Sequence, residues 1–217
     1  NEAGDGPIFV EGYKWLKNFD DTRLTFYERT SEQPRMQRGK KEMNGIDLEP
    51  HTDFFGWMYY YMNDIKKDYL GKFPERPFIW AEYSHAMGNS NGNIKDLWDM
   101  VYKERQMQGG FIWDFVDQGL AEYKDGKKYW AYGGDYSPSS YHNDTNFCMN
   151  GLVNPDRTPH PALEEVKHVY QDAKISILGN GDKIKIENRF FFKNLSDFDF
   201  HFDLIENGKA VKNETIT

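Results

Sequence analysis

Glu82 has the setting that most invites chemistry. It closes an apolar run, Phe78-Ile-Trp-Ala81, where a buried parallel strand would end. A carboxylate there is partly desolvated, which costs free energy unless the group is paired or used. The functional groups of α/β folds gather at the carboxyl ends of parallel strands. Glu82 is therefore either a catalytic acid or a structural ion-pair or capping group. Trp113-Asp114 closes the next apolar run, Gly109-Gly-Phe-Ile112, in the same way. Asp114 reads as a second acid or a structural carboxylate. Trp113 reads as core or as a platform for the apolar C–H face of a sugar ring. Carboxylates and aromatics at strand ends fit glycoside hydrolysis without singling it out.

Other chemistries lack their patterns. The six histidines, His51, His85, His142, His160, His168 and His201, show no HxH or HExxH spacing, so no zinc-enzyme site is expected. Cys148 is the single cysteine, which excludes an internal disulfide and suggests a small buried hydrophobe. There is no GxGxxG or Walker sequence, and Ser84 and Ser90 do not form a nucleophile elbow. A net charge of −8 argues against nucleic-acid and membrane-surface partners, both of which attract basic patches. The cluster Arg35, Arg38, Lys40 and Lys41 reads as a solvated loop. No apolar run approaches the ~20 residues of a membrane span, and no signal peptide is visible. The chain starts with Asn1 rather than Met, which reads as the start of a fragment. Its compartment stays open, with cytoplasmic and periplasmic both compatible.

The elements that must position these residues alternate along the first two-thirds of the 217 residues. Ile8 to Phe19 reads as a helix with Phe9, Tyr13 and Leu16 at helical spacing. Strand-like runs follow at Leu24–Glu28, Phe54–Tyr59, Pro77–Tyr83 and Gly109–Asp114, with helices to about Leu70 and over Ile94–Gln106. Pro161 opens a later helix to about Gln171, where proline suits the first turn and Glu164 and Glu165 suit the dipole. Continuous apolar strands separated by helices indicate a parallel sheet covered on both faces. Periodicity alone does not separate a barrel from a doubly wound sheet. After about Asp172 the period becomes two. In Phe198-Asp-Phe-His-Phe-Asp-Leu204 the apolar residues share one face, and Asn207-Gly208 follows as a hairpin turn. Residues 1–171 thus read as an α/β domain and 172–217 as the start of a β-sandwich.

Several motifs resemble the β-galactosidases of glycoside hydrolase family 2. They are Ala81-Glu-Tyr-Ser-His-Ala-Met-Gly-Asn89, Gln108-Gly-Gly-Phe-Ile-Trp-Asp-Phe-Val-Asp-Gln118, Tyr132-Gly-Gly-Asp135, Phe147-Cys-Met-Asn-Gly-Leu-Val153 and Asp156-Arg-Thr-Pro-His-Pro-Ala-Leu163. The resemblance covers nearly the whole chain, more weakly in the last part. It implies the C-terminal half of a (β/α)8 TIM barrel, followed by part of an all-β immunoglobulin-like sandwich.

The resemblance also implies roles. Glu82 matches the nucleophile of a retaining glycosidase, and Glu2 of the Asn1-Glu2 pair matches the general acid/base. Asn1 would bind the sugar 2-hydroxyl and Tyr59 would hydrogen-bond the nucleophile. His85 and Asn150 resemble sugar-site contacts, and Trp113 the floor beneath the galactose. Glu2 is implied as a Mg²⁺ ligand, and the Phe147 carbonyl with Asn150 as Na⁺ ligands. The implied substrate is a β-galactoside such as lactose, and the implied full-length state a homo-oligomer. A half barrel leaves sheet edges open, so the isolated fragment is expected to be inactive and to need the remainder of the parent chain. The same motifs leave another family 2 activity, a β-glucuronidase or β-mannosidase, as the alternative within enzymes. A non-catalytic sugar-binding or assembly module is the alternative outside them.

Overall fold

The computed structural model describes residues 2, 6–28, 42–43, 46–47, 51–72, 74–137 and 140–216, with backbone alone at 42–43 and 46–47. Two compact units divide the chain, Asn1–Val169 and Tyr170–Thr217.

The first unit opens with α1 (Pro7–Phe19), where Pro7 sits in the first turn and Lys17 in the last, each at the end that suits it. Phe9 stacks on Tyr27 at 4.5 Å between ring centroids. The Tyr13 hydroxyl donates to Asp53 Oδ1 at 2.6 Å, and Lys17 Nζ meets Asp53 Oδ2 at 3.1 Å. The inward edge of α1 is therefore partly polar, and Leu16, expected there from its spacing, lies toward solvent. Next come the short β1 (Glu42–Met43) and β2 (Ile46–Asp47), paired antiparallel. They are followed by α2 (Met62–Asp68), β3 (Phe78–Tyr83), α3 (Ile94–Lys103) and β4 (Met107–Ile112). A hairpin of β5 (Leu120–Lys124) and β6 (Lys127–Ala131) leads to the single turn α4 (Gly133–Tyr136) and then to α5 (Ala162–Val169).

The sheet that matters is a parallel ladder. β3 pairs with β4, and residues 55–59 lie on the other side of β3 through the bridges Phe55↔Phe78 and Met58↔Glu82. Beyond β4 the chain continues alongside 150–153, with a parallel bridge Val116↔Val153. At the far side Asp53 N–H donates to the Thr25 carbonyl at 2.9 Å. Leu24–Glu28, expected as a strand, runs beside the sheet without forming one, and Glu28 has turned helical. Among the described residues the ladder stays open, whereas a (β/α)8 barrel closes on eight strands.

The core of the first unit is largely aromatic. Phe55, Ile65, Tyr69, Phe78, Trp80, Tyr83, Met100 and Met107 bury together between the ladder and α2 and α3. The rings follow one another at 5.1 Å (Phe55–Tyr69, Tyr69–Phe78), 5.8 Å (Phe78–Trp80) and 5.6 Å (Trp80–Tyr83). Two indoles here donate their N–H, Trp80 to the Tyr60 carbonyl at 2.9 Å and Trp98 to the Tyr83 hydroxyl at 2.7 Å. Ala86, Ile94, Leu152, Val166 and Val169 form a second cluster that joins α3 to α5.

Gly110 lets β4 approach β3. A Cβ there would lie 2.7 Å from Trp80 Cβ, 3.0 Å from Tyr83 Cδ1 and 3.2 Å from the Trp80 carbonyl oxygen. Two of those atoms belong to the neighbouring strand's frame and cannot swing aside. Gly110→Ala in the full-length protein is expected to cost about 1–3 kcal/mol, as overpacking does. A urea midpoint that moves down at unchanged slope checks it.

The second unit consists of two antiparallel hairpins, β7 (Ala173–Leu178) with β8 (Lys183–Asn188) and β9 (Phe200–Glu206) with β10 (Lys209–Ile216). The second turns at Asn207 and Gly208 with φ of 50° and 79°, the left-handed pair that a two-residue hairpin turn requires. Phe190 stacks on Phe198 at 5.1 Å.

Candidate active site

The carboxyl edge of the ladder collects the chemistry. Glu82 is the penultimate residue of β3, and Tyr59 ends the neighbouring segment. Parallel pairing puts them side by side, with the Tyr59 N–H on the Glu82 carbonyl at 2.8 Å. The Tyr59 hydroxyl reaches back to donate to Glu82 Oε2, also at 2.8 Å. Glu2 arrives next to them on a main chain held by Glu28, whose Oε1 accepts the Glu2 N–H at 2.7 Å. Glu2, Tyr59 and Ser84 all have φ between 50° and 57°. That left-handed conformation costs roughly 1–2 kcal/mol for a non-glycine residue and persists where the surroundings over-determine it.

The electrostatics follow from this crowding. Burial pushes the Glu82 carboxyl above the ordinary glutamate range, and the charges of Glu2 and Glu28 push the same way. The Tyr59 hydrogen bond and His85 oppose them without reversing the sum. The Tyr59 phenol is raised too, by burial first, then by its bond to Glu82 and by the charges of Glu82, Glu2 and Asp114. It therefore remains a proton donor through the whole range in which Glu82 titrates.

One wall is aromatic. The His85 ring lies 6.0 Å from the Tyr59 ring centroid and 5.3 Å from that of Phe147. Trp113 follows β4. Its N–H donates to the Tyr83 carbonyl at 3.2 Å and its carbonyl accepts from Ala86 N–H at 2.7 Å, and the Trp113–Asp114 peptide is cis. Asp114 serves the local frame, with Oδ1 on Val116 N–H at 2.8 Å and Oδ2 on the Gln118 side chain at 2.7 Å. Asn150 is 2% exposed, with its carbonyl on Asp114 N–H at 2.8 Å.

Two buried side-chain atoms at this edge have no hydrogen-bond partner among the described residues, His85 Nε2 and Asn150 Oδ1. Each such atom costs about 1–3 kcal/mol until something pairs with it. They point to a ligand with polar groups.

Glu2, Glu82, Tyr59, His85 and Phe147, singled out in the sequence, are thus brought together, with Trp113 and Asn150 on the same edge. Asn1 lies outside the described residues. Glu28 and the Asp117–His160 pair carry no notice in the sequence reading. Glu28 ends the run Leu24-Thr-Phe-Tyr just as Glu82 ends its own, and that was the available signal.

For metals the two sets of residues differ. Asn150 Oδ1 is an orphaned hard oxygen, which fits a Na⁺ ligand. Among the described residues no group of three or more His, Cys, Asp or Glu could hold a metal ion. Glu2 is the one residue of this chain that the resemblance implies for Mg²⁺.

A parallel βα ladder with carboxylates and an aromatic wall at its carboxyl edge has its polar groups where parallel α/β folds gather their functional residues. Residues 1–175 match the family model described as glycosyl hydrolases family 2, TIM barrel domain, and the chain belongs to that family. It is 36% identical over 232 residues to a beta-galactosidase of Photobacterium profundum, covering 100% of this chain and 21% of that protein. It is 38% identical over 209 residues to a beta-galactosidase of Actinobacillus pleuropneumoniae, covering 96% of this chain and 19% of that protein. The chain thus spans about a fifth of the length of these curated relatives. Among solved structures it resembles a family 2 β-galacturonidase of Eisenbergiella tayi bound to galacturonate. The TM-score is 0.48 at 15% identity, covering 77% of this chain and 31% of that one.

Proposed function

We propose that this chain carries the nucleophile half of a retaining β-galactosidase's catalytic barrel. The observation that carries the reading is the Tyr59–Glu82 hydrogen bond beside Glu2 at the strand ends. The galactoside is suggested by the two beta-galactosidases to which the chain is similar over its length. Glu82 attacks the anomeric carbon while Glu2 protonates the departing glycosidic oxygen, and a covalent galactosyl ester forms on Glu82. Esterification removes the Glu82 charge. Glu2, now ionised, takes a proton from water as its oxygen attacks the same carbon, and Glu82 leaves as a carboxylate. Trp113 is the sugar platform, and His85 Nε2 and Asn150 Oδ1 are polar contacts. Asn1 would meet the 2-hydroxyl.

A Na⁺ ion held by the Phe147 carbonyl and Asn150 Oδ1 would orient a sugar hydroxyl. No step is assigned to Mg²⁺. In this reading residues 172–217 begin an immunoglobulin-like sandwich, the full-length protein is a homo-oligomer, and the 217-residue chain alone is inactive because its ladder is open.

Trapping with 2-deoxy-2-fluoro-β-galactosyl fluoride, followed by peptide mass spectrometry, tests the proposal. The full-length enzyme should carry one label, on Glu82. Turnover with the label on another residue would sink the assignment. Labelling of the isolated 217-residue chain would overturn its inactivity.

A further inference from the structure

We infer that Asp117 and His160 form a positioning pair that fixes Asn150 in the site. The inference rests on the reading of Asn150 as a sugar or cation contact. It begins with the single peptide group that joins Asn150 to Gly151. That group is held at both ends. Its carbonyl, on Asn150, accepts the Asp114 N–H at 2.8 Å, and its N–H, on Gly151, donates to Asp117 Oδ1 at 2.7 Å. Pinning both ends fixes the plane of the peptide, and with it the position of the Asn150 Cα and the axis of its Cα–C bond, the base from which the side chain leaves the chain.

The Asp117 carboxylate is itself fixed. It is 6% exposed, and its other oxygen, Oδ2, lies 2.7 Å from His160 Nε2. The His160 main-chain N–H donates to the Leu152 carbonyl at 3.0 Å, and the Asp117 N–H donates to the Val153 carbonyl at 2.9 Å. The pair therefore grips the segment 151–153 by side chain and main chain together. Gly151 completes the fit, because a Cβ there would collide with the main chain of Val116 and Asp117. A buried carboxylate is costly unless it is paired and hydrogen-bonded, and a wholly apolar contact would cover the same area without that cost. What the carboxylate adds is direction. Asn150 Oδ1 has no partner among the described residues to orient it, so its placement depends on the backbone beneath it.

The test is a double-mutant cycle in the full-length enzyme, read as kcat and KM for an aryl β-galactoside, with thermal unfolding followed alongside. Asn150→Ala and Asp117→Ala should each lower kcat/KM, Asp117→Ala on the order of ten- to a hundredfold. The two losses should overlap, so that Asp117→Ala costs less than threefold once Asn150 is already alanine. Asp117→Asn keeps an oxygen for the Gly151 N–H and should restore activity to within about fivefold. His160→Ala removes only the outer partner and carries the same cycle if Asp117→Ala fails to fold. Fully additive losses would overturn the positioning role, since a merely structural defect adds to the loss of Asn150. A fully active Asn150→Ala enzyme would instead remove the reading of Asn150 itself, and the inference with it.

Discussion

Glu82→Gly in the full-length enzyme is expected to lower turnover of an aryl β-galactoside by about 10⁴-fold or more, the scale at which enzymes lose a covalent nucleophile. The glycine also vacates the space of a side chain, and a small anion can occupy it. With azide present, activity should return and the product should be the α-galactosyl azide. The attack then comes from the face that Glu82 occupied, in one inverting displacement. Glu2→Gly should respond with the opposite stereochemistry. Glu82 still forms the ester when the leaving group is good enough to depart unprotonated, and azide then attacks the ester from the side of Glu2 to give the β-azide. The two products assign the carboxylates to opposite faces of the sugar, and NMR of the anomeric proton reads them directly. β-Azide from Glu82→Gly would reverse the roles. No rescue with either variant, in a folded protein, would remove Glu82 and Glu2 from the chemistry.

How much of this was legible in the sequence differs from residue to residue. β3 was readable because one face is buried, at Phe78 and Trp80, and the other, at Ile79 and Ala81, is partly covered, which leaves a continuous apolar run closed by an isolated acid, Glu82. Asn207-Gly208 was readable because a two-residue turn needs positive φ twice. The β5–β6 hairpin carries the same kind of signal, Asp125-Gly126 with φ of 51° and 75°, but its strands are largely exposed and show no clean alternation. Leu24–Glu28 has strand-like residues, yet it meets the sheet through Asp53, whose N–H donates to the Thr25 carbonyl and whose Oδ2 accepts the Thr25 N–H, and through Phe26 stacked on Phe54, so tertiary context and not propensity sets its form. The motifs singled out Glu82, His85 and Asn150, and Tyr59 was singled out separately, by its place after Met58. The support beneath them stayed hidden, because a contact between positions 34 or 43 residues apart leaves no local pattern. Asp117 with Gly151 and Asp117 with His160 are of that kind. Glu28 shows at its own position as an acid closing a strand-like run, but its bond to the Glu2 N–H leaves no pattern that joins the two.

Tyr59→Phe isolates the one hydrogen bond that opposes the upward pressure on Glu82. In the proposed mechanism attack requires Glu82 ionised, so kcat/KM is expected to fall as the pH drops through the Glu82 pKa. The Tyr59 hydroxyl lowers that pKa and therefore extends activity toward acid. Without it, burial and the charges of Glu2 and Glu28 act unopposed except by His85, and the acid limb of kcat/KM should move to higher pH. Glu28→Gln removes one of the raising charges and should move the limb the other way. The bond also discriminates between the two chemical steps. It is strongest when Glu82 is a full carboxylate, in the free enzyme and as the carboxylate re-forms on leaving the ester. Its loss destabilises the free enzyme together with the attack transition state, but raises the barrier to release relative to the neutral ester. Release should then limit turnover, with kcat down by about 10²–10³-fold, as for loss of a single charge-stabilising donor. KM should fall alongside it, and the galactosyl ester on Glu82 should accumulate to levels visible by intact-mass spectrometry after rapid quenching. An unchanged acid limb in Tyr59→Phe, or a loss confined to KM, would mean that the hydroxyl does not act through the Glu82 carboxylate.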